Sequence, residues 1–152
     1  MIAIGNDHGG LTLKKSVVHY FEAHRIAYTD FGTNTDANVD YPDFAKKVAE
    51  AVLSGRCERG VLLCGTGIGI SIAANRFNGI RAALCHDVFS AKAARSHNNA
   101  NILAMGGRVI GEGAALEVLA AFLETDFSDE ERHTLRIEKI EHILEEESKW
   151  EN

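Results

Sequence analysis

The sequence predicts an α/β protein in which a five-stranded parallel sheet carries helices on both faces. Short apolar runs alternate with longer amphipathic stretches along the 152 residues, and the strand-then-helix pattern repeats five times. The strongest run, residues 60–64 (GVLLC), is apolar throughout, as expected for a strand that is buried on both faces of a parallel sheet. No linker, repeat or low-complexity segment divides the chain, so residues 1–152 are expected to form one domain.

Hydrophobic periodicity predicts the order of the elements. Strands are expected at residues 2–5, 26–31, 60–64, 80–85 and 102–105. Helices are expected at residues 11–24, 43–53, from the glycine loop to 74, 88–96, 113–123 and 130–147, with a polar loop at 32–42. Ligands of parallel sheets bind at the carboxyl ends of the strands, so the chemistry should lie near Asp7, Cys64, His86 and Arg108.

Composition excludes several classes of protein. The formal net charge of −6 disfavours general nucleic-acid binding, although a small anion needs only a local cationic cluster. No apolar run approaches the length of about 20 residues that spans a bilayer, and the N-terminus lacks the features of a signal peptide. We therefore expect no membrane association and a cytoplasmic location. Three cysteines without a CxxC pair argue against a disulfide framework or a zinc ribbon.

The glycine loop at residues 64–69 (CGTGIG) is the most informative segment. Alternating glycines between a strand and a helix expose backbone N–H groups that can hold a phosphate or a developing oxyanion. A dinucleotide-binding loop would require a third glycine where Ile70 stands, and a Walker loop would require a following Gly-Lys-Ser/Thr. The Walker loop is thereby excluded, and the dinucleotide loop is disfavoured although Asp87 lies about 20 residues on, where its acidic residue would stand. The favoured interpretation is an oxyanion hole beside a reactive thiol.

Cys64 is the candidate thiol because it ends a strand immediately before a helix, where thiolates are favoured. A buried structural cysteine is the commoner fate of a lone cysteine, and that interpretation suits Cys57 and Cys85. For Cys64, at the mouth of the sheet and against the glycine loop, the functional interpretation is favoured.

Six short motifs follow one another along nearly the whole chain. They are Asp7-His8-Gly9-Gly10, Asp40-Tyr41-Pro42-Asp43, Cys64 to Asn75, Arg95 to Asn101 with His97-Asn98 inside it, Gly107-Arg108-Val109, and Arg132-His133 with Arg136. Their order and content resemble the ribose-5-phosphate isomerase B family, whose relatives include the galactose-6-phosphate isomerase subunits. The resemblance implies a Rossmann-like or flavodoxin-like αβα sandwich whose C-terminal helix makes oligomer contacts.

The resemblance also implies an aldose–ketose isomerase that interconverts D-ribose 5-phosphate and D-ribulose 5-phosphate, in the non-oxidative branch of the pentose phosphate pathway. This reaction moves a proton between C2 and C1 through a cis-enediolate, so it needs one base and donors for the oxyanion. Cys64 is the implied base, and Thr66 is implied to assist through its hydroxyl. One branch of the family uses a glutamate from the helix start as its base, but Ile70 fills that place here and cannot titrate. Neither a cofactor nor a metal is implied.

Other site residues come from the same resemblance. His97 is the implied acid for opening the sugar ring, since an imidazole titrates near neutral pH. The implied substrate-binding residues are Asp7, His8, Tyr41, Gly65, Gly67, Ile68, Gly69, Asn98, Arg108, Arg132 and Arg136. Family likeness assigns the phosphate to His8 and the three arginines, and Arg132 and Arg136 are spaced to share one helix face.

Structural interpretations of these residues remain open. Arg132 and Arg136 could be surface charges that pair with neighbouring glutamates at 130, 131 or 138, which is common for helix arginines. His97 could act as a cation at a helix C-terminus. The remaining histidines are expected to be structural or solvated, and they are His19, His24, His86, His133 and His142.

Three rival functions differ in the residues they require. A metal-dependent hydride shift would need several converging carboxylates, whereas Asp7 stands in the crevice with only Asp87 at its edge. A receiver-type signalling domain would need an aspartate after the third strand and a lysine after the fifth, where Cys64 and residues 106–108 (GGR) stand. A phosphate-binding module without catalysis is the third alternative, and it applies if Cys64 is inert.

The resemblance further implies a homodimer or homotetramer with sites shared between subunits. His97, Asn98, Arg132 and Arg136 would then reach into the crevice of the neighbouring subunit. The apolar face of the last helix suits either an interface or packing on its own domain, and it comprises Leu135, Ile137, Ile140, Ile143 and Leu144. The sugar could instead be allose 6-phosphate or galactose 6-phosphate, because the sequence does not give the length of the pocket.

Overall fold

A five-stranded parallel sheet lies between two layers of helices, in the strand order β2-β1-β3-β5-β4. The computed structural model describes residues 1–143. The strands are β1 (Ile2–Asn6), β2 (Tyr28–Asp30), β3 (Arg59–Cys64), β4 (Ala82–Leu84) and β5 (Ile102–Gly106). The helices are α1 (Leu11–Ala23), α2 (Tyr41–Leu53), α3 (Ile68–Ala74), α4 (Val88–Ser96), α5 (Glu112–Glu124) and α6 (Glu131–Glu141). The predicted αβα architecture is confirmed.

The two helical layers follow from the direction of each crossover between parallel strands. Helices α1, α4 and α5 cover one face, where Phe21 and Phe122 are fully buried. Helices α2 and α3 cover the other face around Val48 and Ile70. From the central strands β1 and β3 the chain leaves in opposite directions, and such a switch point opens a crevice at the carboxyl ends of the strands.

Two strands are shorter than the sequence predicts, because hydrogen bonds from outside the sheet hold their ends. Ile26 N donates to Phe21 O and so closes α1 instead of starting β2. At the other edge of the sheet, Ile80 N donates to Phe77 O in a turn and Arg81 N donates to the Asn101 side chain. The apolar pattern that predicted strands at 26–31 and 80–85 therefore includes residues that end helices or turns.

Two helices also differ from their predicted bounds. Helix α2 starts at Tyr41, because Pro42 fits the first turn of a helix, where no N–H partner is required. The predicted loop at 32–42 is therefore shorter. Helix α6 runs to Glu141, while Leu144 and the rest of the predicted extension to 147 lie outside the described residues. Within residues 1–143, no helix combines the length and the apolar character needed to cross a membrane.

A buried lysine ties α1 to the loop behind the first strand. The Lys14 ammonium donates to Asp30 Oδ2 at 2.9 Å, to Thr33 O at 2.7 Å and to Asn34 Oδ1 at 2.7 Å. Only 4% of the lysine side chain is exposed, so the charge depends on these three acceptors. The amide of Asn6 also donates to Thr33 O, and the two contacts together fix the loop that leads to α2.

Lys14→Met should lower the free energy of unfolding by about 2 kcal/mol, because it removes the donor to Asp30 Oδ2 and Asn34 Oδ1 and one of the two donors to Thr33 O. Urea unfolding at neutral pH measures the change. Lys15→Met on the exposed face of the same helix is the control, and it should stay within about 0.5 kcal/mol of the unmodified protein. Equal losses in the two variants would contradict a specific role for the buried ammonium.

Candidate active site

Three strand ends meet at the carboxyl edge of the sheet through direct backbone contact. A Cβ placed on Gly9 would lie 2.8 Å from the nitrogen of Gly65, and one placed on Gly107 would lie 2.8 Å from the carbonyl oxygen of Gly9. The amides of Gly107 and Arg108 donate to Cys64 O and Gly65 O at 2.8 and 3.0 Å. The turn after β1 and the loops after β3 and β5 therefore form one continuous floor.

Cys64 lies at the centre of this floor, with 4% of its surface exposed. The Gly67 N–H donates to its sulfur at 3.1 Å, from a left-handed backbone conformation with φ of 78°. This hydrogen bond holds the sulfur at the mouth of the loop, where it can exchange a proton with a carbon atom of a ligand. The amides of Gly65 and Gly69 have no acceptor among residues 1–143, so this loop can receive an oxyanion.

The rest of the glycine loop is arranged around the same opening. Thr66 is exposed, and its Oγ1 accepts a hydrogen bond from the Ile68 N–H at 3.3 Å. The Tyr41 ring lies against Gly69, since a Cβ at that glycine would come within 2.6 Å of Tyr41 Cζ. Tyr41 is 38% exposed and so forms one wall of the crevice.

Polar and cationic groups border the crevice at the ends of β1 and β5. Asp7 is buried, and its Oδ1 accepts from the Gly10 N–H at 3.1 Å. His8 accepts the Val39 N–H at Nδ1 at 3.3 Å, which leaves Nε2 to carry the ring proton toward a ligand. The guanidinium of Arg108 lies over Gly65 and pairs with no carboxylate in the described part of the chain. These contacts bring together one half of the predicted site.

The other half of the predicted site lies at the opposite edge of the same sheet. Helix α4 starts after the carboxyl end of β4 and runs back along the strands for nine residues, about 13 Å. His97 ends this helix and Asn98 follows it, and both are exposed near the amino-terminal end of β4. The structure therefore does not bring these two residues to Cys64 of the same chain.

Helix α6 adds its residues to this second cluster. The His133 ring stacks on His97 with centroids 4.5 Å apart and an angle of 10° between the planes. Arg132 and Arg136 are both exposed, and Arg132 pairs with Glu130 at 2.8 Å as the structural interpretation expected. The second cluster thus presents two guanidinium groups beside two imidazoles, apart from the crevice of its own chain.

His86 was expected to be structural or solvated, and it makes a structural contact at the border of the site. Its Nε2 accepts the Gly106 N–H at 2.9 Å, at the end of β5. The position immediately after a strand was a signal available in the sequence, because that edge carries the other site residues. Within residues 1–143, the candidate site included, no group of three or more His, Cys, Asp or Glu side chains could hold a metal ion.

Comparison with known proteins gives consistent matches over the chain. A family model described as Ribose/Galactose Isomerase matches residues 2–140. Ribose-5-phosphate isomerase B of Escherichia coli is 43% identical over 142 residues, which cover 93% of this chain and 95% of that protein. D-erythrulose-4-phosphate isomerase of Pectobacterium atrosepticum is 46% identical over 127 residues, with coverage of 83% and 84%. The solved structure of Clostridium thermocellum ribose-5-phosphate isomerase B has a TM-score of 0.93 at 48% identity, covering 95% of this chain and 97% of that one.

The stacked His133 should make stability depend on pH. Burial, then the neighbouring charges of His97, Arg132 and Arg136, lower the pKa of His133 against the opposing effect of Glu130. Its Nε2 is buried without a hydrogen-bond partner within residues 1–143, in agreement with that direction. Below the ordinary histidine pKa of about 6.5 the unfolded chain therefore binds this proton more readily than the folded chain.

We expect His133 to leave the free energy of unfolding unaffected above about pH 6.5 and to lower it as the pH falls below that value. His133→Phe keeps an aromatic ring against His97 but cannot titrate, so it should flatten this slope. Urea titrations across the pH range measure the effect, with His19→Gln on the exposed face of α1 as the control. An unchanged slope in the phenylalanine variant would show that His133 does not cause the pH dependence.

Proposed function

The chain belongs to the Ribose/Galactose Isomerase family, and we propose that it interconverts D-ribose 5-phosphate and D-ribulose 5-phosphate by proton transfer. The observation that carries this proposal is the buried Cys64 sulfur at the switch point of the sheet, with the Gly67 N–H directed at it. The ribose-5-phosphate isomerase B relatives from Escherichia coli and Clostridium thermocellum support the choice of sugar.

The proposed chemistry uses the sulfur as a single base. The Cys64 thiolate takes the proton from C2 of the open-chain aldose, the C1–C2 double bond forms, and negative charge develops on the oxygen at C1. Amides of the glycine loop stabilise this charge, together with the Thr66 hydroxyl at the edge of the opening. A proton then passes from the oxygen at C2 to the oxygen at C1, and the thiol returns its proton to carbon C1 while the carbonyl forms at C2. The product is the ketose, and no atom is lost.

Substrate binding in this proposal draws on both halves of the site. Asp7 and Asn98 hold sugar hydroxyls, and Tyr41 lines the wall of the crevice beside Gly69. His8 and Arg108 provide donors for the phosphate at the carboxyl edge, and Arg132 and Arg136 add two guanidinium groups. His97 serves as the acid that opens the sugar ring. These residues lie at opposite edges of the sheet, so one chain does not bring all of them to the same substrate.

We propose that a second copy of the chain completes the site. The direction of α4 keeps His97 about 13 Å from the carboxyl edge of its own sheet, so His97 and Cys64 meet only if they belong to different chains. A two-fold axis perpendicular to the strands would bring the carboxyl edge of one copy to the amino-terminal edge of the other. Such an isologous contact would complete two sites at once.

Exposed apolar side chains along the β4 side of the sheet support this arrangement. Ile68 and Ile72 on α3 are 52% and 60% exposed, and Phe89 at the start of α4 is 80% exposed. The edge of β4 does not offer a continuous ladder, because the Asn75 side chain binds both the N–H and the C=O of Ala82. A partner would therefore pack through side chains here instead of extending the sheet.

The last helix offers a second apolar surface for the same assembly. Leu135, Ile140 and Ile143 are 50%, 49% and 59% exposed, so their side chains are only partly covered by their own domain. These exposures favour the interface over the alternative of internal packing. The distinction between a dimer and a tetramer depends on whether this surface and the β4 side contact one partner or two.

The identity of the sugar is the part of the proposal for which the relatives offer a specific alternative. The Pectobacterium relative carries the name of an erythrulose-4-phosphate isomerase, and the proposed proton transfer applies equally to 4-carbon and 6-carbon sugar phosphates. Allose 6-phosphate and galactose 6-phosphate therefore stand beside ribose 5-phosphate as candidates. A phosphate-binding module remains the non-enzymatic alternative, and it requires an inert Cys64.

Purified protein should convert ribose 5-phosphate to ribulose 5-phosphate in excess EDTA, and Cys64→Ala should lower kcat by a factor of about 100 or more. Loss of the base removes the group that carries the proton between the two carbons. Cys57→Ala is the matched control, since Cys57 is equally buried but lies apart from the glycine loop, and its kcat should change by less than about threefold.

Each outcome of that assay decides between the alternatives. Turnover that survives in Cys64→Ala would exclude the sulfur as base, and turnover that EDTA abolishes would favour metal-dependent chemistry. Faster turnover of a 4-carbon or 6-carbon sugar phosphate would replace ribose 5-phosphate as the substrate. Binding of these sugar phosphates without turnover of any would favour the binding module.

Mixing inactive variants tests the shared site. Cys64→Ala and His97→Ala chains, unfolded together and refolded at equal concentration, should recover about a quarter of the unmodified activity, because half of the dimers are mixed and each contains one intact site. Cys64→Ala mixed with Arg108→Ala is the control, since both changes lie in the same half-site and no intact site can form. Mixed dimers without recovered activity would contradict sharing between His97 and Cys64.

A further inference from the structure

The side chain of His86 takes the place of a backbone acceptor at the carboxyl edge of the sheet. Strands β4 and β5 pair in register as far as Leu84 and Ala104, and the Cys85 N–H then donates to Ala104 O at 3.1 Å. The next β5 amide that points toward β4 is that of Gly106. Its partner is His86 Nε2, at 2.9 Å, instead of a carbonyl oxygen.

The Gly106 peptide, whose N–H His86 accepts, packs directly against the backbone of the glycine loop. A Cβ on Gly106 would lie 2.6 Å from both the carbonyl carbon and the oxygen of Thr66. A Cβ on Gly67 would lie 2.8 Å from the carbonyl carbon of Met105 and 3.1 Å from the nitrogen of Gly106. Any displacement of this peptide would therefore move the loop that presents the Gly67 N–H to the sulfur of Cys64.

The hydrogen bond also fixes the state of the imidazole. Nε2 can accept the Gly106 N–H only while it carries a lone pair, so the ring is neutral and its proton is on Nδ1. The next residue, Asp87, uses its carboxylate to accept from the N–H and the hydroxyl of Ser90 at the start of α4. These contacts anchor the segment after β4 and leave Nε2 aimed at β5.

We propose that His86 is a positioning residue for the isomerisation: as a neutral acceptor it holds the Gly106 peptide, and through it the Gly67 N–H, in line with Cys64. This inference deepens the proposed function and rests on it for its kinetic consequence. His86 does not touch the reacting atoms. Its contribution is the geometry of the N–H that contacts the Cys64 sulfur and of the loop that receives the oxyanion.

Three substitutions of His86 distinguish the effect of its hydrogen-bond acceptor from the effect of its side-chain volume. His86→Gln carries an oxygen three bonds from Cβ, as Nε2 is, and can accept the same N–H. His86→Leu has no acceptor, and His86→Met offers only the weakly accepting thioether sulfur. We expect the leucine and methionine variants to lose about tenfold to a hundredfold in kcat with KM changed by less than about twofold, because the phosphate-binding residues are untouched. The glutamine variant should keep kcat within about threefold of the unmodified protein.

Amide hydrogen exchange measured by NMR gives a readout that does not depend on the substrate. Loss of the acceptor should speed exchange at Gly106 and Gly67 in the leucine and methionine variants but not in the glutamine variant, at equal thermal midpoints. An apolar variant that folds and keeps full kcat, or a glutamine variant as impaired as leucine, would overturn the proposal. Exchange that changes as expected in a protein with no turnover of any sugar phosphate would instead refute the proposed function alone.

Discussion

Close backbone contact between three strand ends is the constraint on which the site depends. Gly9 touches the loop after β3, and Gly106 touches Thr66, at distances that leave no room for a Cβ. Side chains are thereby excluded from the centre of the floor, and backbone amides and one sulfur remain. Groups that belong to the backbone of a packed sheet need little reorganisation during a reaction, which is the condition for effective stabilisation of an oxyanion. The surrounding side chains then supply binding and selectivity.

Much of the fold could be predicted because its central strands are apolar throughout. Leu62 and Leu103 are fully buried, and runs of this kind in alternation with amphipathic helices leave few architectures open. The predicted bounds were wrong where a hydrogen bond outside the sheet decides them. Ile26 continues an apolar run, yet its N–H closes α1 by donating to Phe21 O, and no local pattern distinguishes the two outcomes.

The centre of the candidate site could also be predicted from the sequence, because it follows directly from the order of the strands. Cys64 and its loop follow from the rule that chemistry gathers at strand ends, and the glycines mark where backbones approach. The same rule placed His86 near the chemistry, but it could not show which group the imidazole contacts. Its partner, Gly106, is twenty residues away in the chain, and only the register of β4 against β5 brings the two together.

The direction of α4 explains why a shared site is the simplest proposal for this fold. A helix that connects two parallel strands must return to the edge from which the next strand starts, so its last residue lies far from the crevice of its own sheet. His97 ends such a helix, and the stacked ring of His133 holds it at that edge. No rotation of the His97 side chain could cover the length of α4, about 13 Å. If His97 acts on the substrate of Cys64, the two residues must therefore come from different chains, and the topology itself favours a two-fold assembly.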